Sequence, residues 1–381
     1  MIEIKNKENC CGCTACASIC PHHAINMIPD QLGFLYPSVN KALCTKCGLC
    51  ERVCAFHPNY DISQNLSQPE AYGVRHKNMS EIESSRSGAA FIALSDLILK
   101  QNGVIYGVGY TDHFRVVHKR AINSKERDEF KGSKYVQSDL TGIFPLIKED
   151  LKNGKFVLFS GTPCQTAGLR SYIPNKLQDK LYIIEIICHG VPSPYIWRDY
   201  LRMIEKKAGE KVLSVDFRNK KDFGWSTHKE TFFFKKHQQT TLEYRYLFYN
   251  HIMFRHSCSK CHYTNLKRPS DITIADFWGW QKTDSNFNAD DKGCSLVFCN
   301  TEKGKRWFQD IHSEINFIPA NIANCMQPNL IHPSTISPLR NKFEKDYIKY
   351  GIEYVVKNYT KNTLLQRGKQ KIKRIIKKIF S

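Results

Sequence analysis

Cys10, Cys13, Cys16 and Cys20, followed by Pro21, recur as Cys44, Cys47, Cys50 and Cys54, so a C-x2-C-x2-C-x3-C run is written twice near the start of the chain. Thiolates are soft, strongly donating ligands. Three on one tight loop, with a fourth from elsewhere, surround an iron–sulfur cubane without help from a folded core. In two-cluster ferredoxins the fourth cysteine of each run serves the other cluster. The spacing therefore predicts one 4Fe-4S site from Cys10, Cys13, Cys16 and Cys54, and another from Cys44, Cys47, Cys50 and Cys20. Each site then needs both runs, and residues 1–60 are expected to fold as one small bacterial-ferredoxin-like unit. Structural zinc competes for C-x2-C pairs, but a third cysteine at the same short spacing, twice over, suits a tetrahedral ion poorly. The second run has Ala55 where the first has its proline, which removes no ligand. Cys11 reads as a bystander.

The chain has 381 residues, room for two or three domains at about 100–200 residues each. Sixteen cysteines in a short secreted protein would mean disulfides. Here Met1-Ile2-Glu3-Ile4-Lys5 leads straight to the cysteine run without the pattern of a signal peptide, so reduced thiols and a cytoplasmic location are expected. No apolar run is long enough for a spanning helix. The net charge of +20 is spread along the chain and densest at its end, without the interleaved aromatic and basic residues of a nucleic-acid module, so no nucleic-acid partner is expected. Residues 361–381 hold eight basic residues and no acidic one, with Ile372, Ile375, Ile376, Ile379 and Phe380 at helical spacing. Such a basic amphipathic helix either lies on an anionic membrane surface, peripheral at its inner face, or docks its isoleucine stripe on the protein's own body.

Pro58 to Pro69 has the polar composition of a linker. Beyond it, strands are expected at 71–74, 103–110, 156–160 and 181–188, with helices at 89–99 and 195–206. This alternation predicts an α/β body in two parts, 70–145 and 146–345, ahead of the helical tail 346–381. The stretch Asp271 to Trp278 alternates like a half-buried strand, expected to bring two carboxylates to one end of a site.

Gly161-Thr162-Pro163-Cys164 follows a buried strand and opens a helix, placing Cys164 at a helix N-terminus on the carboxyl edge of the sheet, where α/β proteins build sites and anions are favoured. Cys188-His189-Gly190 follows the next strand, and Cys258-Ser259-Lys260-Cys261 supplies a C-x2-C pair. Cys164, Cys188, Cys258 and Cys261 together suit a third 4Fe-4S cluster. Zinc on Cys258, Cys261 and His256 or His262 is the competing use. Cys294, Cys299 and Cys325 read as core residues.

Phe159-Ser160-Gly161-Thr162-Pro163-Cys164-Gln165, Cys188-His189-Gly190-Val191-Pro192-Ser193, Gly132-Ser133-Lys134-Tyr135-Val136-Gln137, and Arg268-Pro269-Ser270-Asp271-Ile272-Thr273 with Asp276-Phe277-Trp278-Gly279 occur in one chain. Together they resemble the beta-subunit family of deazaflavin (coenzyme F420) hydrogenases and dehydrogenases, from about Cys10 to Arg306. The resemblance implies FAD in the α/β body and clusters carrying single electrons to or from it. It also implies a redox donor protein such as ferredoxin or flavodoxin and an organic substrate, in some bacterial members linked to surface-polysaccharide synthesis. The sequence has no G-x-G-x-x-G after a strand, so FAD rests on the resemblance. Ser87, Gly88, Gly132, Ser133, Lys134 and Tyr135 suit a site approached by phosphate and ring, and Gly161, Thr162 and Asp271 join them as expected cofactor contacts. His189, Asp276 and Lys134 are the expected proton donors. Where the family would have a serine-rich Ser-Ser-Gly-Gly turn this chain has Ser85-Arg86-Ser87-Gly88-Ala89, and Ala275 stands where a glycine is expected. Both changes are expected to narrow a pocket. The function implied is an iron–sulfur flavoprotein oxidoreductase. The rival is an electron-transfer subunit serving a separate enzyme.

Overall fold

The computed structural model describes residues 1–56 and 64–379, with side chains through residue 360. The expected linker therefore falls partly outside the described residues. Its described end lies on the body, where the Leu66 amide donates to Asn300 O at 2.6 Å.

Between the two cysteine runs, β1 (Ile25–Pro29) and β2 (Leu35–Val39) form an antiparallel hairpin. The Asp30 carboxylate closes its turn by accepting the amides of Leu32 and Phe34, both at 3.0 Å. That turn holds Leu32 and Phe34 fully buried among Trp197, Tyr200 and Phe254 of the body, so the hairpin is stitched to the rest of the chain.

The body is built on β3 (Glu70–His76), β4 (Val104–Thr111), β5 (Arg115–Ala121), β6 (Val157–Gly161) and β7 (Leu181–Ile186). A small sheet follows from β8 (Ser214–Asp216), β9 (Glu230–Phe233) and β10 (Gln238–Thr241), then β11 (Ile272–Asp276), β12 (Ser295–Cys299) and β13 (Ile315–Ala320). Among the described residues the large sheet has eight strands in the order β13-β3-β12-β11-β7-β6-β4-β5. Its centre, β11-β7-β6-β4, is parallel, and the flanking pairings are antiparallel. The centre is parallel because its strands are apolar on both faces and both faces are covered. Val74, Ile105, Leu158, Ile184 and Ile272 pack on one side with Trp307, beneath helix Ala90–Lys100. Val104, Val157, Phe159, Leu181 and Ile183 pack on the other with helices Ile143–Lys152 and Pro163–Tyr172, and there they meet Cys11, Cys13, Ala15 and Val53 of the cysteine module. Each fully buried aliphatic or Phe side chain contributes about 1.5–3 kcal/mol over exposure, so the module shares the body's main source of stability.

The expected α/β body is thus a mixed sheet. The antiparallel strands β5, β12 and β13 flank the alternating run and were not legible in it. The helix expected over 195–206 is Pro194–Ala208, capped by the Ser193 hydroxyl, which accepts the Ile196 amide at 3.1 Å, and ended by Gly209 at φ 73°. One expectation is corrected. Asp271 and Asp276 bracket β11, at opposite ends of a five-residue strand, so they cannot share one end of a site.

The terminal helix Arg340–Ile379 breaks at Gly351, φ 77°. Within the expected tail, Tyr347, Val355 and Val356 are buried in the main core beside Trp197 and Tyr200. The isoleucine stripe lies outside the described side chains. Among the described residues no helix is long and apolar enough to cross a membrane.

Candidate functional site: three cysteine sets and a cationic chamber

The two N-terminal runs wind through left-handed residues, with φ 71° at Gly12, 66° at Thr14, 56° at Lys46 and 76° at Gly48. These kinks turn successive thiols inward before the short helices Ala15–Ile19 and Leu49–Arg52 begin. One turn of helix carries the chain about 5.4 Å, so the cysteine ending each run is delivered away from its own loop. Two hollows result. An inner one is lined by Cys10, Cys13, Cys16 and Cys54 with Ile4 and Phe56. An outer one is lined by Cys20, Cys44, Cys47 and Cys50 with Ile25 and Val39. Cys54 of the second run thus lines the inner hollow together with Cys11, and Cys20 of the first run lines the outer one. The Ala24 amide donates to Cys20 Sγ and the Ile2 amide to Cys50 Sγ, each at 3.4 Å. In the inner set, burial pushes the Cys16 thiol far above its ordinary range.

The body set forms at the carboxyl edge of the parallel strands. After β6, Thr162 caps helix Pro163–Tyr172 in a reciprocal pair with Gln165, and Cys164 is the second helical residue, its Sγ 3.4 Å from Thr162 Oγ1. Cys188 follows β7, and Cys258 and Cys261 stand on and just after the turn His256–Lys260. The Val191 amide donates to Cys258 Sγ at 3.4 Å. Cys188 faces Cys258, Cys164 and Cys261. Burial drives Cys188 well up and takes Cys258 and Cys261 to about 12, while a hydrogen bond from Cys11 brings Cys164 down to about 7. Four thiolates coexist in such a place only around a cationic centre. Among the described residues no three His, Cys, Asp or Glu side chains converge closely enough to hold a single metal ion. A lone zinc, with bonds of about 2.3 Å, draws its sulfurs to within about 4 Å of one another. A cubane brings its own irons and sulfides and takes four thiolates, the donor set that Cys164, Cys188, Cys258 and Cys261 would offer. Cys294, Cys299 and Cys325 are buried in the core, away from these sets.

Cys11 is more than a bystander in position, since its buried thiol faces both Cys13 and Cys164. Gly168, on the helix that carries Cys164, lets the two regions close, because a Cβ there would stand 2.7 Å from Cys13 Sγ.

Beyond the body set lies a buried cluster of rings and cations, called the chamber below. Arg218 Nη1 donates to Asp276 Oδ2 at 2.6 Å and Trp225 Nε1 to Asp276 Oδ1 at 3.2 Å. Trp225 stacks on Trp278, centroids 4.7 Å apart. Arg86 donates to the carbonyls of Arg218 and Trp225. The Tyr135 ring packs between Phe217, His228 and Phe248, and His228 Nδ1 lies 3.1 Å from the Tyr249 hydroxyl. Burial, then the neighbouring Arg218 charge, lowers Arg86 to about 10, and burial takes the Lys220 ammonium to about 8. Among the described residues Arg86 Nε and Arg218 Nε are buried without a hydrogen-bond partner. Two guanidiniums with spare donors beside aromatic faces fit a bound anion that carries a flat ring.

The other expected contacts divide. Tyr135 and Asp276 stand in the chamber. Ser87 and Gly88 stand at its back wall, where Ser87 Oγ donates to Cys294 O at 2.7 Å and Gly88 presses on the Val74 carbonyl. Gly132 and Ser133 form an exposed turn, and Lys134 Nζ is engaged by the carbonyls of Glu129 and Lys131, with burial lowering it to about 7. Gly161 and Thr162 shape the Cys164 turn. The Asp271 carboxylate is used structurally, accepting the Ile183 amide and the Thr301 hydroxyl, both at 2.9 Å. His189 pairs with His251, Nε2 to Nε2 at 2.8 Å, and His251 Nδ1 lies 2.8 Å from Thr335 O. A carbonyl only accepts, so His251 carries its proton on Nδ1 and a neutral pair holds the other proton on His189 Nε2. Burial lowers His189 to about 4.

Arg218, Trp225, His228 and Tyr249 were missed because nothing in their spacing links them to residues 86 or 276. The one available signal was Arg86 itself, in a turn expected to be all serine and glycine. It reads as a lost methyl's worth of space but acts as an added charge.

Residues 154–322 match the family model for the carboxyl-terminal part of the beta subunit of coenzyme F420 hydrogenase/dehydrogenase, and residues 9–57 match the 4Fe-4S dicluster domain. No curated protein matches the chain. Among solved structures, a chain of the F420-reducing [NiFe] hydrogenase complex from Methanosarcina barkeri is 16% identical, with a TM-score of 0.46, over 78% of this chain and 91% of that one.

Proposed function

We propose that this chain, whose residues 154–322 match the beta-subunit family of coenzyme F420 hydrogenase/dehydrogenase and whose residues 9–57 match the 4Fe-4S dicluster domain, is an iron–sulfur flavoprotein oxidoreductase acting on an organic substrate. The observation that carries this reading is the sequence of sites in space. The outer hollow reaches the surface at exposed Cys47, the inner set touches the body set through Cys11, and Cys188 is bonded to His189, whose ring neighbours Tyr249 of the chamber. Cys10, Cys13, Cys16 and Cys54 would hold one cluster, Cys20, Cys44, Cys47 and Cys50 a second, and Cys164, Cys188, Cys258 and Cys261 a third. Arg86 and Arg218 would take the phosphates of FAD, with Tyr135, Tyr249 and Trp278 beside its ring. Bound clusters supply single-electron carriers, and flavin supplies the conversion to two-electron chemistry. Asp276 holds Arg218 in place, and the His189–His251 pair holds a proton at His189 Nε2 on a route toward Thr335.

Exposed Lys41, Lys46 and Arg52 stand near the outer hollow, which suits docking of an acidic one-electron donor such as ferredoxin or flavodoxin. Reduction by such a donor should slow as salt rises. The basic tail would hold the protein at an anionic membrane, and deleting residues 361–381 should then abolish binding to anionic liposomes. A role in surface-polysaccharide synthesis rests on the resemblance alone.

Anaerobic purification with iron, acid-labile sulfide, zinc and flavin measured on one sample tests the reading. About eight irons with one FAD are expected from the module, and about twelve with the body set. Iron without flavin favours the electron-transfer subunit, a reading that the beta-subunit family name also supports. Zinc without iron overturns both.

A further inference from the structure

Arg255 is buried to 1% exposure at the seam between module and body, and among the described residues it forms no ion pair with a carboxylate. Its Nε donates to Cys10 O at 2.7 Å and its Nη2 to Leu35 O at 2.9 Å. Nη1 donates to Gln137 Oε1 at 3.1 Å, and Nη2 reaches Cys10 Sγ at 3.6 Å. Tyr36 covers the guanidinium at 4.2 Å. Gly12, at φ 71°, makes room for it, since a Cβ there would stand 2.8 Å from Nη1. The backbone of the same residue organises the body set: its amide donates to Val191 O and its carbonyl accepts the Cys258 amide, at 3.0 and 3.1 Å. The titratable groups that the guanidinium faces are Cys10, Tyr36, Cys11 and Cys258. A buried cation without a carboxylate carries a large desolvation cost unless other anions surround it, and with clusters bound those anions would be the ligating thiolates of Cys10 and Cys258.

We propose that Arg255 is a positioning residue that sets the reduction potential of the inner cluster above that of the outer one, so that electrons run inward toward the body set. The inference rests on the cluster reading above. Adding an electron to a cluster adds negative charge, which a fixed neighbouring cation and an N–H donated to a ligating sulfur both stabilise, raising the potential. Arg255 offers both to Cys10 and a longer-range field to Cys258 and Cys164. No such contact links it to Cys20, Cys44, Cys47 or Cys50, so the outer cluster serves as an internal control.

The test is a redox titration followed by electron paramagnetic resonance on the anaerobically loaded full chain, with iron content measured in every sample. Arg255→Met should move the inner midpoint to more negative potential and leave the outer midpoint in place. Arg255→Lys, which keeps the charge and loses the fork, should restore most of the shift. Gln137→Glu, nearly isosteric, sets a carboxylate against Nη1 and should lower the inner midpoint with Arg255 still present, which keeps the test open should Arg255→Met fail to fold. An unmoved inner midpoint at full iron content in Arg255→Met or Gln137→Glu overturns the proposal, as does an equal shift in the Lys and Met variants. Absence of any reducible cluster in the wild-type chain strikes the underlying reading and this inference with it.

Discussion

In the module, the nine thiols that line two hollows, Cys11 among them, lie between residues 10 and 54, on two short loops. In the body, four thiols come from segments around residues 164, 188 and 258–261, and they meet only because β6 and β7 end at the same edge of one sheet. The chamber beyond is more scattered still, drawing on residues 86, 135, 218, 225, 228 and 276. The contrast is one of what holds each site. Local loops with glycine and left-handed turns fix the first, and long-range strand pairing fixes the others. The local site is specified by few residues but has little core of its own, so it leans on the body's face through Cys11, Cys13 and Ala15.

The largest expected effect tests the crossing. Cys54→Ser should cost about four irons and the signal of the inner set, and Cys20→Ser about four irons of the outer set. If Cys54→Ser instead removes the signal of the Cys44, Cys47 and Cys50 site, each loop closes on itself. Cys258→Ser should remove the body set's iron and leave the module's.

Next is Arg218→Ala, which strands the Asp276 carboxylate where both side chains are nearly buried, at 9% and 11% exposure. Breaking a buried pair from one side costs about 3–5 kcal/mol. A urea midpoint should fall accordingly, flavin content should drop, and iron in the module should stay. A variant as stable as wild type would mean that the chamber is solvated and loosely built.

A pH effect of about 2 kcal/mol should belong to the body alone. His118 stacks on Phe159 between Ser160 O and Ser138 Oγ, both at 3.0 Å, and burial lowers it to about 4 from an ordinary value near 6.5. Because the folded value lies below the unfolded one, its contribution is complete above pH 6.5 and is lost as pH falls toward 4. Between pH 7 and pH 5 the wild type should lose about 2 kcal/mol more than His118→Gln in denaturant titrations.

The smallest effect is at the seam. Helix propensity alone makes Gly168→Ala stabilising by up to about 1 kcal/mol. The Cys13 Sγ contact should reverse the sign, to a net loss of about 1 kcal/mol. A stabilised variant would show that module and body part easily.

The sequence by itself determined the chemistry of the module, because its ligands repeat at a spacing no longer than a helical turn and a local backbone can realise them. It also marked the buried strands Val157–Gly161 and Leu181–Ile186, whose apolar runs announce coverage on both faces. Cys164 and Cys188 followed from these, at the ends of those strands. It misplaced Asp271 and Asp276, because alternation along a strand says which face a residue takes and not where the strand begins. Only the tertiary structure decided that Arg255 would lie among thiols from two regions, that Arg86 would meet Arg218 and Asp276, and that Lys134 would be turned back onto its own loop. Those outcomes depend on which strands pair and which faces close, and such contacts join residues that no short-range spacing relates.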